Sequence, residues 1–189
     1  MSHSLRSKVA TAIVLFALSP VALFPFAGQA QAASHERNEQ PKGRGWPAVL
    51  TNSLGMTFKL INPGSFIMGE DGGNGTETDQ YPAHRVDLTK HFYMETEEVS
   101  QSFYQKSGLP GSASDISWLN ADAFAKWLSK REDRTYRLPT EAEWNYVYDK
   151  ALIAGMNSRE WMNDWHFPYF NDHLVDPTGP STGFVKVIR

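Results

Sequence analysis

Cysteine is absent from all 189 residues. Its absence removes disulfides, a thiolate nucleophile, thiolate metal ligands and a lipid-anchored lipoprotein terminus together. A run long enough to cross a bilayer is also lacking. The longest apolar stretch, Val9 to Leu23, is interrupted by Pro20 and falls short of the roughly 20 residues a spanning helix needs, so no stable membrane anchor is expected. Nor is there a basic excess. The 18 Lys and Arg stand against 21 Asp and Glu, which argues against nucleic acid as a partner. No internal repeat and no H-E-x-x-H string occurs.

What is present begins with an export signature. Arg6 and Lys8 precede the apolar run, and Ala30-Gln31-Ala32 supplies the small-x-small pattern that signal peptidase cuts. Residues 1–32 are therefore expected to be a signal peptide cleaved after Ala32, giving a periplasmic or secreted protein. Without Arg6 and Lys8 the remaining 157 residues carry 16 basic and 21 acidic side chains, a net charge of −5. Six Trp, seven Tyr and eight Phe lie in this portion, enough large rings to fill a core that has no disulfides to brace it.

Residues 33–47, polar and without an apolar period, read as a flexible leader, so the fold is expected over 48–189. Met56–Ile61 and Ser65–Met68, separated by Asn62-Pro63-Gly64, predict a hairpin. Residues 85–89 alternate like a half-exposed strand, with 91–95 expected to pair near it. Ser117 precedes Ala121, Phe124, Ala125 and Leu128 at helical spacing, which predicts a helix ending near Arg131. Thr140 and Glu143 form a capping box, with Trp144 and Val147 continuing the apolar face. A shorter helix is expected near 99–106, and Phe184–Ile188 reads as a final strand. Short strands, two or three helices and long polar connections indicate an α+β fold.

Several side-chain constellations invite chemistry. Gly179-Pro180-Ser181-Thr182-Gly183 matches the nucleophile-elbow string, but a turn precedes it where the elbow needs a strand, and no Asp and His follow. Residues 71–79 are rich in oxygen donors but have no EF-hand spacing, so a solvated loop is the better reading. His166 and His173 flank an aromatic stretch beside Asp164 and Asp172, and His166 with Asp164 could contribute to an iron or copper site. Glu141 and Glu143, two apart on a helix, do not face each other as an acid/base pair, and capping is the stronger account of them. Arg137, just before that helix, is placed to pair with one of its acids. Trp161 and Trp165 are candidates to stack a ligand, although such rings are more often core.

Several blocks, in order, resemble one family. Ser65-Phe66-Ile67-Met68-Gly69, Pro82-Ala83-His84-Arg85-Val86, and above all Tyr136-Arg137-Leu138-Pro139-Thr140-Glu141-Ala142-Glu143-Trp144 are similar to the formylglycine-generating-enzyme (sulfatase-modifying factor) domain. Asn157-Ser158-Arg159-Glu160-Trp161 and Asp176-Pro177-Thr178-Gly179-Pro180 resemble its later blocks. The resemblance spans about residues 56–189. It implies a fold related to C-type lectins with little regular secondary structure, and a structural role for Arg137, Thr140, Glu141, Glu143, Trp144 and Asn157. It further implies calcium held by the Glu160 side chain with the carbonyls of Met156 and Ser158, although Ile153 stands where a ligand Asn is expected. Relatives insert several dozen residues between Lys150 and Gly155 and continue past the position of Arg189 into a cysteine-bearing segment, so the domain reads as incomplete at its C-terminus.

With no cysteine, the copper–cysteine oxidation of the formylglycine-forming members is not expected. The resemblance leaves two readings. One is a cysteine-free, metal-dependent oxidoreductase or maturation factor, as in pyoverdine maturation, acting on an exported protein or a small molecule. The other is a non-catalytic lectin-like module that binds a glycan, a peptide or a partner protein.

Overall fold

The computed structural model describes residues 9–10, 13–16, 45–71, 80–154, 156 and 159–189. Among the described residues, three sheets and three α-helices make up the fold. The largest sheet, in the order β3-β4-β7-β2-β8, joins Val49–Thr51, Thr57–Ile61, Phe92–Glu95, Val14–Phe16 and Tyr136–Arg137. A second, β10-β6-β5, joins Leu174–Val175, His84–Leu88 and Gly64–Met68, and a third, β1-β9-β11, joins Val9–Ala10, Arg159–Trp165 and Lys186–Ile188.

The helices start where the sequence says they should. Ser100 caps α1 (Gln101–Gln105), and the Ser117 hydroxyl accepts from the Asn120 amide to cap α2 (Trp118–Glu132). At α3 (Glu141–Asp149) the box closes in both directions, the Glu143 amide donating to the Thr140 hydroxyl and the Thr140 amide to the Glu143 carboxylate. Ala121, Phe124, Ala125 and Leu128 form the buried stripe of α2, which packs with Phe58, Tyr93, Tyr104, Tyr136 and Leu138 into the main core. A second core lies under α3, where Ala142, Tyr146 and Val147 meet Phe66, Val86 and Phe92.

The strands depart from the expected pairings. The strands flanking Asn62-Pro63 are not a hairpin: β4 pairs with β3 and β7, while β5 pairs with β6 in another sheet. Pro63 has no amide to donate to a ladder, and the turn passes the chain from one sheet to the next. Likewise β7 pairs with β4 and β2 and not with β6. The expected leader also yields at its end. Trp46 stacks on His91 at 6.3 Å between ring centroids, and the Tyr93 hydroxyl donates to the Pro47 carbonyl at 2.7 Å, so packing begins before Ala48. Residues 17–44 lie outside the described residues, as does most of the acidic loop 71–79.

Within the segment expected to be a signal peptide, two short strands are built into the fold. β1 runs parallel to β9, and β2 lies antiparallel between β7 and β8. The Glu95 amide donates to the carbonyl of Ile13, whose side chain is fully buried in the main core.

Candidate functional site

Strand β9 carries Glu160, Trp161, Asp164 and Trp165 of the residues singled out in the sequence, and its alternation sorts them. Glu160, Met162 and Asp164 are buried, whereas Trp161, Asn163 and Trp165 on the other face are half-buried. Trp161 is anchored as structure: its indole N–H donates to the Ile116 carbonyl at 2.8 Å and its ring packs against the main core. Trp165 is different. It stacks with Trp118 at 6.4 Å, and the Lys186 ammonium lies 4.0 Å and 4.1 Å from the Trp165 and Trp118 ring centroids, a cation held over two indoles. Burial pushes the Lys186 amine below its ordinary range.

At the near end of β9, the Trp144 indole donates to Glu160 Oε2 at 2.5 Å. Glu160 lines a small cleft with Met156, Glu95, Glu97 and Glu98. Among the described residues, Glu95 Oε2 is buried with no hydrogen-bond partner. Burial, reinforced by Glu160 and Glu97, holds the Glu95 carboxyl well above the ordinary carboxylate range. Burial pushes Glu160 to about 7, against the indole hydrogen bond that favours its charged form.

Of the expected calcium shell, Ser158 and the neighbouring Asn157 lie outside the described residues, while Met156 and Ile153 line the cleft together with Glu160. Among the described residues no three His, Asp or Glu side chains gather as a ligand set. His166 lies exposed beyond the end of β9 while Asp164 is buried, and His173 is engaged with Asp87 at 2.8 Å.

Around α3 the signature residues form two buried ion pairs. Arg137 forks onto Glu143 at 2.6 and 2.7 Å. Glu141 does no capping. Its carboxylate accepts from Arg189 and, at 2.7 Å, from the Tyr169 hydroxyl, which in turn accepts from Arg189. Capping arithmetic had no means of finding that partner, 48 residues away. The Glu141 amide donates to Asp164 Oδ2 at 3.0 Å. Burial, with the charges of Glu141 and Glu143 adding to it, raises Asp164 to about 7 despite that hydrogen bond and the charge of Arg137.

Beside Asp164 lies a cavity of about 380 Å³ walled by Trp165, Phe167, Tyr169 and Phe170, with Glu141 and Asp172 also at its surface. Its far side is the loop 177–180. The glycines of the elbow-like string explain themselves here. Gly179 has φ +69°, and a Cβ on it would stand 3.0 Å from the Asp164 carboxylate; a Cβ on Gly183 would stand 2.7 Å from Trp165 Cβ. Both positions need glycine for close approach, not for a nucleophile.

The buried acids set a pH dependence. Asp164 and Glu160 rise from ordinary values of 3.8 and 4.5 to about 7 in the fold, so between those limits the folded chain binds more protons than the unfolded one. Their stabilising contribution is complete below about pH 4 and is lost as pH rises through 7. Urea denaturation is expected to give a stability lower at pH 8 than at pH 5 by on the order of 3 kcal/mol. Asp164→Asn should shrink that difference; an unchanged difference would remove Asp164 as its source.

Residues 112–174, which span α2, the signature block and β9, match the Sulfatase-modifying factor enzyme 1-like domain. Over this segment the chain is similar to the formylglycine-generating-enzyme-like family. The formylglycine-generating enzyme of Streptomyces coelicolor is 26% identical over a region taking in 39% of this chain and 39% of that enzyme. The matched region thus spans well under half the length of that curated relative. Among solved structures, the Treponema denticola variable protein 1 superposes with a TM-score of 0.58 at 17% identity, covering 76% of this chain and 87% of that one. PvdO from Pseudomonas aeruginosa gives a TM-score of 0.46 at 21% identity over 54% of this chain and 51% of that one. The mixed helix-and-sheet architecture is therefore shared with the Treponema protein.

Proposed function

We propose that this chain is an exported formylglycine-generating-enzyme-like protein that acts by binding a small ligand in the aromatic cavity beside Asp164, as a binding module in place of an oxidising enzyme. The observation that carries this reading is the cavity itself. About 380 Å³ of concave space, walled by four aromatic rings and floored by a buried acid, falls in the range of small-molecule sites. The cysteine-free sequence supports it, because copper–cysteine oxidation has no thiol to use in these 189 residues. Phe167 and Phe170, 52% and 56% exposed and 5.6 Å apart, stand at the mouth as rings that water alone does not reward.

Indole serves as the test probe, read by ligand-observed NMR on the full chain. Saturable binding is expected, and Phe167→Ala with Phe170→Ala should weaken it about tenfold, since each lost aromatic contact is worth about 0.5–1.5 kcal/mol. Both side chains are exposed, so the variant keeps its fold. Binding that is absent, or indifferent to these substitutions, overturns the proposal.

A further inference from the structure

The charged side chains that line the aromatic cavity are all of one sign. Glu141, Asp164 and Asp172 reach its surface, and no Lys or Arg is among the described residues lining it. Glu141 is neutralised from behind by Arg189, which leaves Asp164 at the floor and Asp172 near the mouth as the groups able to meet a charge. His84, also in the wall, donates from Nδ1 to the Pro82 carbonyl at 3.1 Å and packs edge-on against Tyr169 at 4.8 Å between ring centroids. Aromatic rings line this floor, and the π face of such a ring attracts cations and repels anions.

Resting on the binding reading above, we infer that the cavity selects arylalkyl amines: a flat aromatic body between the rings, with a primary ammonium directed to Asp164. The aromatic walls bury the body, and the ammonium meets Asp164 from the cavity side, where no Lys or Arg is among the lining residues. An acid of the same shape would meet Asp164 and Asp172 as like charges, and a neutral alcohol would gain neither the ion pair nor the cation–π contact.

Tryptamine, tryptophol and indole-3-acetate share one ring and differ only in the terminal group, so their affinities for the full-length chain at pH 7.5 separate the terms. Tryptamine is expected to bind about tenfold more tightly than tryptophol, with indole-3-acetate weakest. Asp164→Asn should abolish the preference for tryptamine over tryptophol, read as the ratio of their affinities. Wild-type protein gives a second readout that needs no variant. Tryptamine affinity should rise between pH 6 and pH 8 as Asp164 ionises in the field of Glu141 and Glu143 on α3, Arg137 on β8 and Lys186 on β11, while tryptophol affinity stays level. If tryptophol or indole-3-acetate binds as well as tryptamine, or tryptamine shows neither the Asn effect nor the pH rise, the charge preference is wrong and the binding reading stands. If none of the three binds, both fall.

Discussion

A chain that begins at residue 33 is expected to melt at least 10 °C below the full 189 residues, or to lose its cooperative transition. The reason lies in the largest sheet. β2 is an interior strand: Val14, Leu15 and Phe16 pair with Met94, Tyr93 and Phe92 on one side, and Val14 and Leu15 with Arg137 and Tyr136 on the other. Its removal opens one edge of β7, strips β8 of its only partner among the described strands, and deletes a fully buried Ile13. An emptied isoleucine site costs about 2–5 kcal/mol, and each buried backbone group left unpaired adds about 1–3 kcal/mol. The sum is on the order of 5 kcal/mol or more, comparable to the whole stability of an average domain and equal to about 10–20 °C in a chain of this length. Far-UV circular dichroism melts of the two chains, with a peptide of residues 9–20 added to the shorter one, provide the measurement. A shorter chain as stable as the longer one would mean that β2 contributes nothing to the sheet. Partial recovery on adding the peptide would show that the gap between β7 and β8 accepts a strand in trans. The same apolar run thus faces opposing demands, since removal after Ala32 discards what the sheet uses, and the intact mass of the protein recovered from cells decides which demand prevails.

The helices were legible in the sequence because their signals are local. Ser117 and Thr140 cap within three residues, and the stripe from Ala121 to Leu128 needs only the helical period to be seen. The sheets were not, because strand pairing is settled by partners far away in the chain. β10 pairs with β6 across 88 residues in Leu174 and Val86, and nothing in Leu174-Val175 marks it as a strand. The turn at Asn62-Pro63 was visible, but whether its flanks pair or part depends on β7 and β6 taking them separately. At the site, Asp164 and Trp165 were identifiable as residues of interest from their place beside the aromatic stretch. What assembles around Asp164 comes from α3, the aromatic stretch and the loop at Gly179. Glu95 carried no sequence signal at all, and only its burial without a partner among the described residues reveals it.

Arg189→Met is expected to lower stability while tightening the binding of a cationic ligand. The guanidinium is only 16% exposed and its partner Glu141 10%, so the pair is desolvated and water cannot replace the lost partner cheaply. Removing one member of such a pair costs about 3–5 kcal/mol, mostly because the other charge is left uncompensated. In this fold the stranded charge is Glu141, kept only by the Tyr169 hydroxyl and already at the cavity surface. The backbone at this position is less affected, because the Arg189 amide and carbonyl bond to Glu160 whatever side chain the residue carries. Two measurements with opposite signs follow. Urea denaturation of Arg189→Met should show the loss, and adding Glu141→Gln should recover part of it by removing the unpaired charge. Tryptamine affinity should rise in Arg189→Met, because a second free carboxylate then faces the ammonium, and return to the wild-type level in the double variant. A purely structural role for the pair predicts the stability pattern without the affinity pattern, and a stability unchanged by Arg189→Met would mean that the pair is not desolvated at all.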